Sequence, residues 1–156
     1  MKTFKRILPF IIGIAIPLAV GGISAAITMS SMQAYAGISK PPLSPPACIF
    51  PIAWTILYTM MGIASALVWK STDKHRTDAL VYYGFQLVLN FFWPLIFFLA
   101  KEYWFGFIWL IGLLISVILT AVYFKKVSKS AFWLLVPYIL WLIFAAYLNA
   151  GVAILN

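Results

Sequence analysis

The stretch WFGFIWLIGLLISVILTAVYF occupies residues 104–124 and contains no charged side chain. An α-helix crosses the bilayer core with about 20 predominantly apolar residues, so this segment alone is long enough to span a membrane. Its polar and apolar residues do not alternate, as they would in the short strands of a transmembrane barrel. The segment therefore predicts a membrane-spanning helix.

Four further runs in the chain have the same apolar character. They cover residues 7–30, 47–69, 79–99 and 131–153. All 11 Lys and Arg residues, all 3 Asp and Glu residues and the single His lie before or between the five runs. Hydrophobic residues make up 65% of the chain, against about 45–50% in soluble domains. We therefore expect an all-α membrane protein, with residues 1–156 forming one domain of five transmembrane helices.

The positive charges are unevenly shared between the two sides of such a bundle. Nine of the 11 Lys and Arg residues fall before the first run and in the second and fourth connections, whereas only Lys40 and Lys101 fall on the other side. The positive-inside rule then places the N-terminus in the cytoplasm and the C-terminus outside, in a bacterial-type cell membrane. The net charge of +8 thus reflects orientation, and we do not expect nucleic-acid binding.

The N-terminal segment also has features of a secretory signal peptide. Lys2, Lys5 and Arg6 precede an apolar run, and residues 34–36 read Ala-Tyr-Ala. The apolar run is longer than the 7–15 residues typical of a signal peptide. We therefore expect an uncleaved first helix.

The connection between the first two helices is the longest and is rich in proline. Residues 40–46 read KPPLSPP, and proline fixes φ and removes a backbone donor, so this loop should be stiff and non-helical. A stiff loop loses less entropy than a flexible one when it covers a ligand. The pattern predicts a lid over a binding site, and a plain linker is the alternative. The lid residues are Lys40, Pro41, Pro45 and Pro46.

Acid–base, metal and ion-coupled chemistry find little support in the sequence. Asp73, Asp78 and Glu102 all lie in connections, so no carboxylate pair faces a substrate within the membrane. Ion-coupled transporters usually carry ionisable residues inside the membrane, and none lies in these runs. Cys48 and His75 are too few for a zinc site of the multi-Cys or Cys/His kind. We assign no catalytic residue, no metal and no required cofactor.

Aromatic residues recur at helical spacing within the runs. Residues four apart share a helix face, although packing against lipid or neighbouring helices would produce the same pattern. Three pairs have this spacing: Trp54 with Tyr58, Trp93 with Phe97, and Trp141 with Ala145. Asn90 and Asn149 lie in the same apolar runs, where a buried amide must find partners, so we expect both to hydrogen-bond between helices.

Several of these segments together resemble the translocator protein family, also called TspO/MBR, the tryptophan-rich sensory proteins and the peripheral benzodiazepine receptors. The resemblance extends over nearly the whole chain. It is carried by KPPLSPP at 40–46, WTILY at 54–58, LNFFWP at 89–94, LVPYILW at 135–141, and Phe144, Ala145, Leu148 and Asn149.

The resemblance implies a five-helix bundle, often a homodimer, that binds tetrapyrroles such as protoporphyrin IX together with isoquinoline and benzodiazepine drugs. The family pocket opens toward the first loop, where Lys40 would be the cation nearest in sequence to the ligand carboxylates. The matching pocket positions are Tyr35, Trp54, Tyr58, Trp93, Phe97, Trp141 and Ala145. Animal members also bind sterols, but here no basic residue follows Lys129, which argues against sterol transport.

The sequence thus favours a membrane receptor or carrier that binds a tetrapyrrole in an aromatic pocket and acts in porphyrin and stress physiology. Two alternatives remain. Some bacterial relatives are described as degrading porphyrin in light through pocket tryptophans, which implies a possible enzyme. The small-residue pairs Gly62/Ala66 and Gly112/Ser116 would also suit a structural subunit that binds partner proteins through close helix contacts.

Overall fold

A computed structural model describes residues 2–156, with side chains from Thr3 onward. Met1 and the Lys2 side chain lie outside the described part. Met1 belongs to the predicted domain range 1–156, and Lys2 belongs to the count of nine cations. The described residues form five α-helices and one π-helical turn. They are α1 (Lys2–Tyr35), α2 (Ile49–Trp69), α3 (Arg76–Pro94) with the π turn Leu95–Leu99, α4 (Tyr103–Val127) and α5 (Lys129–Leu155).

All five helices are long and apolar enough to cross a membrane, which confirms the predicted fold class. The bounds of the last four agree with the sequence-based ones to within three residues if the π turn is counted with α3. The first helix is longer than predicted, because residues 31–35 are helical and do not belong to the loop. These residues, SMQAY, contain good helix formers, and the first glycine after them is Gly37.

The helices form a closed ring. α1 packs on α2, α2 on α5, α5 on α4 and α4 on α3, while α3 and its π turn return to α1. Because successive helices run antiparallel, the proline-rich loop, the π turn and the last turn of α5 lie at the same end of the bundle. We call the half of the bundle nearer to this end the open half, and the half nearer to the nine cations the closed half.

In the closed half, α1 and α2 touch through their backbones. A Cβ atom built on Gly62 of α2 would lie 2.5 Å from the Ile14 Cα and 2.6 Å from the Gly13 carbonyl oxygen of α1. The predicted pair of small residues on α2, Gly62 and Ala66, is therefore used inside the bundle. Met61, Ala64 and Val68 of α2 are fully buried there, so this half is tightly packed.

In the open half, Pro94 changes the course of α3. The Leu95 N–H bonds to the Phe92 carbonyl instead of continuing the α-helical pattern, because proline provides no N–H and its ring disrupts the preceding turn. The Ser24 hydroxyl of α1 donates to the Phe91 carbonyl at 3.2 Å. The π turn that follows brings Phe97 into the interior, where it is only 3% exposed.

Candidate ligand-binding site

A cavity of about 270 Å³ occupies the open half, between α1, α2, α5 and the end of α3 with its π turn. It is partly open and extends from Gly21 and Tyr58 in the bundle interior to Tyr35 and Ala47 at the loop end. Among the described residues that line it, none is charged. Six of the seven pocket positions predicted from the sequence line it, and so do both buried asparagines. These are Tyr35, Trp54, Tyr58, Trp93, Phe97, Ala145, Asn90 and Asn149.

Trp141 is the seventh predicted position, and it lies outside this lining. Its ring packs edge-on against Trp54, with centroids 6.5 Å apart, and against Phe50 at 6.1 Å. Both of these rings line the cavity, so Trp141 forms a second layer behind them. On its other side Trp141 borders a shallow groove on the outer surface, between α2 and α5.

One wall of the cavity was not anticipated from the sequence. α1 contributes five small or flexible residues in addition to Tyr35, and their spacing places them on one helix face. They are Gly21, Ser24, Ala25, Thr28 and Met32. The alignment of Gly21 and Ala25 was visible in the sequence, but it indicates close helix packing just as well as a cavity wall.

The aromatic side chains form two stacked pairs. Trp54 and Tyr58 of α2 have ring centroids 5.3 Å apart and planes inclined by 29°. Trp93 of α3 and Phe97 of the π turn are 5.2 Å apart and inclined by 21°. Aromatic rings favour offset-stacked and edge-on contacts with other rings. The two pairs therefore offer stacking surfaces for a flat aromatic molecule.

A chain of hydrogen bonds holds the inner end of the cavity. The Tyr58 hydroxyl donates to the Asn90 Oδ1 at 2.6 Å, and the Asn90 Nδ2 donates to the Tyr138 hydroxyl at 2.7 Å. The Tyr138 hydroxyl in turn donates to the Gln86 Oε1 at 2.9 Å. Asn90 thereby links α2, α3 and α5. Because the oxygen and the nitrogen of the Asn90 side-chain amide are both bonded, the amide cannot turn, and the Tyr58 ring is held in one position.

Asn149 has the corresponding role near the loop end. Its Oδ1 accepts a hydrogen bond from the Trp93 indole Nε1 at 3.1 Å, and its Nδ2 donates to the Tyr103 carbonyl at 2.8 Å. Asn149 is nearly completely buried, where an unbonded amide would be costly. The bond from α5 therefore fixes the orientation of the Trp93 ring.

The predicted lid residues lie above the cavity without lining it. The Lys40 Nζ donates to the Ala36 and Ile38 carbonyls at 3.0 and 3.4 Å, and lies 4.9 Å from the centroid of the Tyr35 ring. Lys40 thus caps the end of α1. Pro41 packs on α5, whereas the Pro46 carbonyl accepts the Ile49 N–H at the start of α2. Pro45 does not line the cavity either, and of residues 36–48 only Ala47 does.

The loop is fastened to α5 by a set of contacts that we call the latch. The Asn156 side-chain amide bonds both the N–H and the carbonyl of Ser39, at 3.1 and 2.8 Å. The Tyr147 hydroxyl donates to the Pro42 carbonyl at 2.7 Å. Pro41 packs directly on Gly151, where a side chain would clash with the proline ring. The loop therefore connects α1, α5 and α2, three of the helices that line the cavity.

These features define a class: a multi-pass α-helical membrane protein with an uncharged aromatic cavity beneath a latched, proline-rich loop. Comparison with known proteins identifies its family. The model of the TspO/MBR family matches residues 13–155, and the chain belongs to this family.

Relatives from three distant groups support this assignment. The chain is 37% identical to the tryptophan-rich protein TspO of Archaeoglobus fulgidus over 97% of its own length and 99% of that protein. It is 38% identical to the protein of the same name from Chlorobaculum tepidum, over 97% and 98% of the two chains. With the translocator protein of Ovis aries it shares 40% identity over 74% of this chain and 70% of the relative.

Proposed function

We propose that this chain is a membrane receptor or carrier that binds a tetrapyrrole such as protoporphyrin IX in the cavity of the open half. The observation that carries the proposal is the pair of stacked aromatic walls, Trp54 with Tyr58 and Trp93 with Phe97, facing one uncharged cavity. A porphyrin is a flat π-system, so rings held in fixed orientations give it stacking area without losing side-chain freedom on binding. Isoquinoline and benzodiazepine-type molecules are smaller aromatic ligands of the same kind.

The size of the cavity suggests how each ligand would sit. Its volume of about 270 Å³ is close to the lower end of the range of about 300–1,000 Å³ that is usual for small-molecule sites. A drug-sized aromatic ligand fits this space with little adjustment. A tetrapyrrole is larger, so we expect part of its ring to project through the open side of the cavity.

Titration of the purified protein in lipid nanodiscs with protoporphyrin IX tests the proposal, with tryptophan fluorescence as the signal. We expect saturable quenching and competition by an isoquinoline carboxamide. Trp133 is 66% exposed and does not line the cavity, so Trp133→Phe is the matched control and should leave the affinity unchanged. Absence of saturation would reject the proposal and favour the structural, partner-binding alternative.

Light-dependent porphyrin degradation is the second candidate, because Trp54 and Trp93, two oxidisable indole rings, line the cavity. Illumination of the bound complex should then bleach the porphyrin faster in the wild-type protein than in the Trp54→Phe/Trp93→Phe variant. Equal bleaching rates at equal occupancy would exclude catalysis by these rings and leave binding as the function.

The proposed orientation can be tested with the natural cysteine. Cys48 is exposed and lies just before α2, at the loop end of the bundle, which the positive-inside rule places outside the cell. We expect a membrane-impermeant maleimide to label Cys48 in intact cells of an expression host. Labelling that occurs only after lysis would reverse the orientation.

We further propose that the protein forms a homodimer, as the family resemblance implies. Gly62 and Ala66 are used between α1 and α2, but Gly112 of α4 has no atom within 4 Å of a built Cβ and is free to meet a second copy. We expect Gly112→Leu to shift the protein toward the monomer in mild detergent, as measured by light scattering. An unchanged mass would exclude this face.

A further inference from the structure

A second, smaller pocket adjoins the main cavity at the loop end of the bundle. Its volume is about 100 Å³. Three rings, those of Tyr35, Phe97 and Phe98, line both the side pocket and the main cavity. The Tyr35 ring packs against Phe97 and Phe98, with centroids 5.8 and 5.4 Å away. A ligand in the main cavity therefore lies against the wall that bounds the side pocket.

The side pocket differs from the main cavity in its polar groups. Its lining includes Ser31, Tyr35 and Tyr103, whose side chains carry hydroxyl groups, and Lys101, whose side chain carries an ammonium group. Every one of these groups can donate a hydrogen bond, and Lys101 also supplies positive charge. Among the described residues that line it there is no carboxylate. Such a set of groups suits an anion.

The backbone at Lys101 has an unusual conformation. Its φ of 56° lies in the left-handed region, which glycine and asparagine adopt more readily than lysine does. The turn is fixed by the Ala100 N–H bonded to the Leu95 carbonyl at 2.9 Å, and by the Glu102 N–H bonded to the Ile96 carbonyl at 3.1 Å. A residue in this conformation commonly ends a helix. The turn therefore places Lys101 at the end of the helical segment, where it lines the side pocket.

Lys101 is also better placed than the other cation at this end of the bundle. The Lys40 Nζ bonds two carbonyl oxygens at the end of α1 and lines neither pocket. Within residues 2–156 the only cation that lines either pocket is Lys101. The sequence pointed to Lys40 because it is the cation nearest in the chain to the proline-rich loop. The Lys40 Nζ lies 4.9 Å from the centroid of the Tyr35 ring, but it is bonded to the end of α1, and the cation that lines the side pocket is Lys101.

We propose that the side pocket binds a carboxylate arm of a ligand whose aromatic body lies in the main cavity, with Lys101 as the counter-ion. The inference rests on the proposed function and adds to it the place where a flexible carboxylate of the ligand is bound. Charge-assisted hydrogen bonds are short and strong, and the phenol groups of Tyr35 and Tyr103 would complete the coordination of the carboxylate.

The test compares protoporphyrin IX with its dimethyl ester, which has the same ring but no charge. Lys101→Asn removes the charge and keeps a residue that tolerates positive φ, whereas Lys101→Arg keeps the charge. We expect Lys101→Asn to weaken binding of the diacid about tenfold, because hydrogen bonds to charged groups contribute that much. Lys101→Arg should retain most of the affinity. Lys74→Gln, at an exposed position between α2 and α3 at the other end of the bundle, is the control that should bind both ligands as the wild type does.

The possible outcomes separate the side pocket from the proposed function. If wild-type protein binds the diacid and the ester equally well, or if Lys101→Asn weakens both alike, the function stands and the side pocket is wrong. If neither molecule binds to the wild type, the proposed function fails and the side pocket with it. A second readout guards against local misfolding: in the wild type, added salt should weaken binding of the diacid and leave the ester unaffected.

Discussion

The same two helices, α1 and α2, meet very differently in the two halves of the bundle. In the closed half, glycine faces glycine, and the backbones of Gly13 and Gly62 are in contact. In the open half, Gly21 of α1 faces the ring of Tyr58, which occupies the space that a side chain on Gly21 would need. The distance between two helices is set by the side chains between them, so one aromatic ring is enough to separate them.

The open half must also be kept from collapsing around its cavity. Protein interiors are close-packed, and empty space loses the van der Waals contacts that would fill it. Here the rings that border the cavity are held by hydrogen bonds, Tyr58 by Asn90 and Trp93 by Asn149. The contact between α1 and α2 is thus set by glycines in the closed half, whereas the cavity of the open half is bordered by large rings with fixed polar partners. A single substitution can therefore disturb the packing of one half and leave the other half intact.

The largest effect is expected from a side chain placed in the closed half. Gly62→Leu should lower the free energy of unfolding by about 3 kcal/mol or more. The new side chain would overlap with the backbone of α1, which cannot move away as a flexible side chain could. Unfolding in mixed micelles with increasing denaturing detergent would measure it. Gly22→Leu is the matched control, since no atom lies within 4 Å of a Cβ built there; a similar loss in both variants would contradict the close contact.

Removing a ring from the open half should affect binding more than stability. Trp54→Ala takes away one stacking partner of the cavity, and we expect the affinity for protoporphyrin IX to fall about 10- to 100-fold. Fluorescence titration against Trp133→Ala gives the comparison, because both variants lose one tryptophan. Equal affinities would mean that the ligand binds elsewhere on the protein.

The hydrogen-bond chain should have an intermediate effect on stability. Asn90→Leu removes the acceptor of the Tyr58 hydroxyl and leaves the Tyr138 hydroxyl with only its bond to Gln86. We expect the free energy of unfolding to fall by about 1–2 kcal/mol. Tyr138→Phe removes the neighbouring member of the chain. Because the two residues are bonded at 2.7 Å, the double variant should lose less than the sum of the two single losses; strict additivity would show that the chain does not act as a unit.

The smallest effect is expected at the latch. Asn156→Ala removes both bonds to Ser39, which should weaken the attachment of the loop by about 0.5–1.5 kcal/mol. Hydrogen exchange at the Ser39 amide should then be faster, and ligand association and dissociation should both accelerate. Ile154→Ala, at a position 71% exposed on the same turn, should change neither rate. Unaltered exchange in Asn156→Ala would show that the latch does not hold the loop.

The sequence was sufficient to predict the spans, because Lys, Arg, Asp and Glu are all excluded from the apolar runs. It also predicted that Trp54 shares a helix face with Tyr58, and Trp93 with Phe97, since helical spacing is a local property. It could not show which face of α1 turns toward α2 and α3, so the contribution of Ser24 and Thr28 was missed. Small residues indicate close packing and cavity walls equally well.

The position of Trp141 behind the cavity lining and the latch could not be predicted for the same physical reason. Trp141 and Ala145 share a helix face, but the Phe50 and Trp54 rings of α2 lie between Trp141 and the cavity. Spacing along α5 carries no information about α2. The latch joins residues 117 positions apart in the case of Ser39 and Asn156. Contacts between residues so far apart depend on the tertiary fold, and no local sequence pattern predicts them.

The latch also has a consequence for biosynthesis. A chain is made from its N-terminus at about 5–20 residues per second, so the 117 positions between Ser39 and Asn156 correspond to roughly 6–23 s of translation. For most of that interval α1, the proline-rich loop and α2 have already been synthesised, whereas α5 is still incomplete. The loop is therefore synthesised well before the residue that fastens it.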